Sequence, residues 1–248
     1  MDTLSTFSLL VFGFVLGLKH AVEADHLAAV STIVTQRKSA WSASLVGGLW
    51  GIGHTISLFG AGVLVILFHF EISERIEQTL EFCVALMLVF LGIDALRRLI
   101  TGGQIHIHAH RHGEMVHFHP HTHEAETAHA PKKAPNHNHE TRRVGFRPLV
   151  IGMVHGLAGS GALMLLVLTT ISSPWIGLVY ILIFGIGSIG GMMLMSLLLG
   201  LPMHLSVTRF QRLEWLLRGC AGVFSLGFGT FMVYEIGFVR GLFYFLTQ

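Results

Sequence analysis

The sequence predicts an all-α membrane protein whose six transmembrane helices form two inverted three-helix repeats. Three observations carry that expectation. Of the 248 residues, 52% are hydrophobic and only 12% are charged, against about 25% charged in an ordinary soluble domain, and the mean hydropathy is +0.65. Six apolar runs each approach or exceed the roughly 20 residues that a helix needs to cross hydrocarbon. The polar and glycine-bearing stretches of the first half recur in the second half at a nearly constant offset. With a formal net charge of only +2, the chain is read as a partner of the lipid bilayer and not of nucleic acid.

The apolar runs fall at 4–34, 42–69, 79–100, 146–171, 175–201 and 213–236. The first lacks the basic lead and small-residue cleavage site of a removable signal peptide, so it is expected to be retained as a helix. It is also longer than an untilted span requires, which suggests an interruption. The stretch "GFVRGLFYFL" at 237–246 is too short to cross alone and is expected to extend the last helix or lie at the interface. Cys83 and Cys220 fall inside spans and show neither a disulfide framework nor a zinc pattern, so buried packing is expected for them. This divides the chain into a first repeat at 1–100, a histidine-rich loop at 101–144 and a second repeat at 145–248.

Cationic residues set the orientation. Arg37 and Lys38 follow the first span, Arg97, Arg98, Arg142, Arg143 and Arg147 flank the central loop, and Arg209, Arg212 and Arg218 follow the fifth span. The opposite side carries Arg75, set among acids, and Arg240. The positive-inside rule therefore places the N-terminus outside and the loop in the cytoplasm of a multi-pass inner-membrane protein.

The repeat rests on three anchors. "GLKHAVEADHLAAV" at 17 aligns with "GMVHGLAGSGALML" at 152, "WGIGHTI" at 50 with "FGIGSIG" at 184, and "FLGID" at 90 with "SLGFG" at 225, giving offsets of 135, 134 and 135 residues. A unit with three spans must re-enter from the opposite face, so its copy is inverted, which is a recurrent transporter plan. His20 and His155 are then mates, as are His54 and Ser188, while Asp25 and His26 correspond to Ser160 and Gly161.

"HAVEADH" at 20–26 concentrates His20, Glu23, Asp25 and His26 within an apolar run. Ionisable groups at the centre of a span cost about 2.5–3.5 kcal/mol each and by default mark function. On an ideal helix His20, Glu23 and His26 share an arc of about 120°, whereas Asp25 points about 140° away from His20. Either the helix is unwound here or Asp25 orients a neighbouring imidazole; with the surplus length of the run, a break is expected between Gly17 and Ala29. Imidazole and carboxylate without thiolate suit nickel, cobalt, zinc or iron. The candidate metal ligands are His20, Glu23, Asp25, His26, His54 and His155.

"HAVEADH" resembles the His-x4-Asp-His signature of the nickel/cobalt transporter (NiCoT) family, in its wider form that includes short urease-accessory-type membrane proteins. "GLWGIGHTISLF" at 48–59 is similar to the family's second signature, and "GMVHGLAGSGAL" at 152–163 to the fourth-helix motif of its short members. The resemblance implies transport of Ni2+ or Co2+ as substrate, with the metal handled at His20, Asp25, His26 and His54, and no bound cofactor. Glu23 stands where longer permeases usually carry aspartate, and their Asp/Thr-rich later signatures are missing.

The central loop carries His106, His108, His110, His112, His117, His119, His121, His123, His129, His137 and His139. Such tracts hold divalent metals loosely, and with Pro131 and Pro135 the segment is expected to be disordered when empty. A cytoplasmic metallochaperone is a candidate partner. Glycines 47, 48, 51 and 53, and 185, 187, 190 and 191, are expected to let helices approach closely. Asp94 is either a site residue or half of an interfacial ion pair with Arg97 or Arg98. Met192, Met193 and Met195 read as filler.

The expected mechanism is alternating access by rocking of one three-helix half against the other, most economically for uptake, since an inside-negative potential favours cation entry by about 2.3 kcal/mol per charge per 100 mV. Export of the same ions is the alternative. No nucleotide-binding P-loop pattern appears, so energy would come from a gradient or another protein. Two other classes compete. A membrane metalloenzyme lacks an H-E-x-x-H helix, and a thiol–disulfide electron carrier lacks a C-x-x-C pair; the chain is expected not to be an enzyme.

Overall fold

The computed structural model describes residues 3–35, 37, 39–68, 73–101, 106–112, 115–121, 145–157, 171, 173–209 and 211–246. Helices form where the apolar runs lie: α1 (Thr3–His20), α2 (Ala24–Val34), α3 (Ala40–Phe68), α4 (Glu74–Thr101), α5 (Arg147–Gly156), α6 (Pro174–Arg209) and α7 (Gln211–Tyr234). Among the described residues, α3, α4, α6 and α7 are long and apolar enough to cross a membrane, and α1 with α2, taken as one bent span, makes a fifth. The remaining expected run, 146–171, begins as α5; residues 158–170, with Ser160 and Gly161, lie outside the described residues.

The first span is broken where the clustered polar residues sit. α1 closes in tight turns, Val22 N–H donating to the Lys19 carbonyl at 3.0 Å and Glu23 N–H to the His20 carbonyl at 3.1 Å. Glu23 is extended (φ −66°, ψ 150°) and opens α2, whose axis turns 55° from that of α1. The break puts a helix C-terminus and a helix N-terminus side by side, both with backbone groups that lack intrahelical partners.

Glycine sets the helix packing. In lipid, helices gain little from apolar contact alone and associate through close backbone approach. A Cβ at Gly17 would collide with the Phe184 carbonyl, and one at Gly187 with the Phe14 carbonyl, so α1 lies backbone to backbone on α6. α5 lies the same way on α3, where Gly152 meets the Trp50 carbonyl and Gly53 the Leu149 carbonyl. α3 and α6 meet at Gly47, over the Met192 carbonyl, and at Gly51, over Ile189. α4 pairs with α7 through Gly92 against Leu226 and Gly229 against Val89. Gly190 faces nothing within 4 Å among the described residues. Gly152→Val is therefore expected to destabilise the detergent-solubilised protein by about 1–3 kcal/mol through overpacking, seen as a lower melting temperature, while Gly190→Ala leaves the melt unchanged or raises it.

Large apolar side chains face outward along the helices, among them Phe12, Phe90, Ile186 and Phe231, as lipid contact requires. Cys83 and Cys220 are free and exposed on the outer faces of α4 and α7. This corrects the expected buried packing: a thiol is apolar enough that lipid satisfies it as well as a core does. At the C-terminal end a π-helical turn, Glu235–Val239, prolongs α7, and a short α8 (Leu242–Leu246) follows. Gly241, between the two, adopts φ +80°, a conformation that side chains disfavour.

Two strands lie between α4 and α5 in the sequence. β1 (His106–His112) and β2 (Met115–His121) pair as an antiparallel hairpin. The helical fold class therefore holds for the membrane body, and the loop expected to be disordered contains a paired segment. Residues 122–144, including His123, His129, His137 and His139, lie outside the described residues.

Candidate metal centre

Four histidines from four helices meet at the break in the first span. His20 ends α1, His26 lies in the first turn of α2, His54 is midway along α3, and His155 is near the end of α5. They are 4%, 1%, 0% and 0% exposed. Ring centroids are 4.2 Å apart for His20 and His26, 5.0 Å for His20 and His54, 5.3 Å for His26 and His54, and 4.2 Å for His26 and His155. One nitrogen from each of His20, His26 and His54 can be chosen so that all lie within 4.8 Å of one another, and the same holds for donor atoms of Asp25, His26 and His155.

The carboxylates fix the imidazoles. Glu23 does not cap α2; its Oε2 lies 2.9 Å from His20 Nδ1. Asp25 turns one oxygen to His26 Nδ1 at 3.0 Å and the other to His155 Nε2 at 2.9 Å, and it also accepts from the His26 backbone N–H at 2.8 Å. A carboxylate only accepts hydrogen bonds, so each of these ring nitrogens carries the proton. In the neutral imidazole the other nitrogen is then a bare lone pair. His20 Nε2, His26 Nε2 and His155 Nδ1 are those nitrogens, and each is buried without a hydrogen-bond partner among the described residues, as are both nitrogens of His54.

An unpartnered buried polar group costs about 1–3 kcal/mol. Five in one cluster are too many for a site built only for packing, and their chemistry is that of a borderline cation site. Around metal-binding histidines a carboxylate commonly holds the ring N–H that faces away from the ion, and the same arrangement is present here.

All six residues singled out from the sequence are brought together here. The angular objection to Asp25 disappears because the break at 21–23 re-aims it. Trp50 was missed: it is 1% exposed, stacks on His26 with centroids 5.4 Å apart, and leaves its Nε1 unpartnered among the described residues. Its place one helical turn before His54 was the signal that could have found it. Asp94 lies apart from the cluster. It binds Arg98 at 3.1 Å and Arg147 at 3.2 Å, which makes it an ion pair tying α4 to α5. A cavity of about 100 Å3 lies beside Arg147, lined also by Thr32, Arg37, Leu91 and Ile151 among others.

No family model matches the chain, and no solved structure does. The chain is similar to the urease accessory protein UreH of Bacillus sp. (strain TB-90), 39% identical over 243 residues that cover 98% of each chain. It belongs to the UreH-like branch of the nickel/cobalt transporter family. Partial likenesses accompany this one. The high-affinity nickel transport protein of Cupriavidus necator is 35% identical over 71 residues, 28% of this chain and 20% of the other. The chloroplast protein FOR GROWTH AND FERTILITY 1 of Arabidopsis thaliana is 26% identical over 179 residues, 71% of this chain and 45% of the other. By name the first two of these relatives are a urease accessory protein and a nickel transport protein.

Proposed function

We propose that the protein carries Ni2+, or Co2+, across the membrane through the histidine cluster, most economically inward. The single observation that carries this reading is the set of five buried imidazole nitrogens without hydrogen-bond partners among the described residues, on four rings clustered with neighbouring centroids 4.2–6.2 Å apart. His20, His26 and His54 would be ligands, with Glu23 and Asp25 holding two of the rings and offsetting the charge of the ion. His155 with Asp25 and His26 offers a second, overlapping donor set. An ion could pass between the two sets by exchanging ligands around His26. The cavity near Arg147 begins one helical turn before His155 on α5 and six residues after His26 on α2, a course toward the arginine-rich end. That end is read as cytoplasmic, with the N-terminus outside.

The six-helix inverted repeat belongs to the same reading, and paired contacts support it. Shifted by 135 and 134 residues, the contact of Gly17 with Phe184 becomes that of Gly152 with Trp50. The contact of Gly187 with Phe14 likewise becomes that of Gly53 with Leu149. Trp41 and Trp175, offset by 134, stand exposed at the starts of α3 and α6, where interfacial tryptophans are common. These contacts also interleave the repeats: α1 packs on α6, α5 on α3, and α4 on α7. Two interlocked halves do not rock as separate bodies, so alternating access requires a different division, the α4–α7 pair moving against the glycine-locked group of α1, α3, α5 and α6.

The test is flux of radioactive Ni2+ into proteoliposomes containing the purified chain. Saturable, protein-dependent uptake is expected, and its absence under an inside-negative potential would refute the reading. Cys83→Ser with Cys220→Ser should leave uptake unchanged, since both thiols face outward; a loss would revive the thiol–disulfide alternative. A cytoplasmic nickel acceptor for urease maturation is the partner that the name of UreH suggests.

A further inference from the structure

The hairpin brings histidines into register. β1 and β2 set His106 opposite His121, His108 opposite His119 and His110 opposite His117. Residues of a strand alternate faces with a period of two, so these three pairs occupy one face. The other face carries the pairs Ile107–Pro120, Ala109–Phe118 and Arg111–Val116. Pro120 has no N–H to give, so its pair with Ile107 is of the kind that exchanges no ladder hydrogen bonds. The two kinds alternate along an antiparallel ladder. The histidine pairs are therefore the hydrogen-bonded ones, with Cα atoms about 5.5 Å apart and fixed directly opposite each other.

An isolated two-stranded hairpin is marginal in water, and ligands that bridge the strands would supply what it lacks. Imidazole suits divalent ions such as Ni2+, Co2+ and Zn2+, and metal binding to a site absent from the unfolded chain is folding free energy. We propose that His106, His108, His110, His117, His119 and His121 form a second divalent transition-metal site, outside the membrane helices, whose binding unit is the cross-strand histidine pair. The loop then holds ions by its register and not merely by its histidine content. The site rests on the transport reading only for the choice of Ni2+ as probe.

Two double variants separate register from content, because each removes two histidines. His106→Ala with His121→Ala deletes one pair and leaves two. His106→Ala with His119→Ala breaks two pairs and leaves His110–His117. Both are made in the full-length chain carrying His54→Leu, purified in detergent, and bound Ni2+ is measured by equilibrium dialysis. The first variant is expected to retain about twice the hairpin-bound Ni2+ of the second. Equal binding by the two, whether both keep the parent level or both fall to the same level, overturns the proposal. If His54→Leu alone fails to lower bound Ni2+, the membrane-site reading suffers, while the comparison of the two double variants still decides this one.

Discussion

Replacing His54 by leucine is expected to reduce Ni2+ affinity at the membrane site by about a hundredfold or more, and at the same time to raise the melting temperature of the metal-free protein. The two effects share one cause. His54 is fully buried with both ring nitrogens unpartnered among the described residues. In the empty protein that burial costs about 1–3 kcal/mol, and a leucine of similar bulk removes the cost. With the ion bound, His54 supplies a nitrogen that leucine cannot, and the loss exceeds the roughly 10–100-fold that follows removal of a group that only orients a ligand. Wild type should also gain about 2.7 kcal/mol of stability at a Ni2+ concentration one hundred times Kd, and the variant should gain far less. Calorimetric binding and thermal melts with and without Ni2+ check both signs. A variant that melts lower and still binds would show that His54 is a packing residue.

Asp25→Ala is expected to fail in the opposite direction on stability. Asp25 accepts from His26 Nδ1 and His155 Nε2, so its loss strands two buried imidazole N–H groups and should destabilise the empty protein by about 1–3 kcal/mol. The freed rings lose their fixed tautomers, and Ni2+ affinity should drop about 10–100-fold. Asp25→Asn should rescue little, because one amide oxygen cannot accept from two imidazoles in the way two carboxylate oxygens do. If Asp25→Ala leaves the melt and the binding isotherm at wild-type values, the carboxylate does not organise the site.

The membrane body was legible in the sequence because hydropathy and glycine act locally. Apolar runs become helices, and the glycines at 17, 53, 152 and 187 sit where backbones touch. The candidate residues were legible for a related reason: His20, Glu23, Asp25 and His26 crowd into seven positions of an apolar run, where polar groups are too costly to be incidental. What escaped depends on three-dimensional closure. Trp50 is a packing-type residue whose role appears only when α2 lies beside α3. The exposure of Cys83 and Cys220 depends on which face of α4 and α7 meets the other, and a uniformly apolar helix gives no phase from which to read that. The hairpin pairing depends on register, and alternate histidines fix a face for each strand without fixing which residue stands opposite which. The pairing of α1 with α6, α3 with α5 and α4 with α7 was hidden as well, since a sequence offset does not say which helices touch.

The most direct measurement is nickel-edge anomalous diffraction from crystals of the full-length chain grown with Ni2+. An anomalous peak is predicted within bonding distance, about 2.1 Å, of His20 Nε2, His26 Nε2 and a nitrogen of His54, with the Glu23 and Asp25 carboxylates still on the far side of the rings. Nickel found on the hairpin alone, with the imidazoles at 20, 26 and 54 unchanged and empty at saturating Ni2+, would contradict the account.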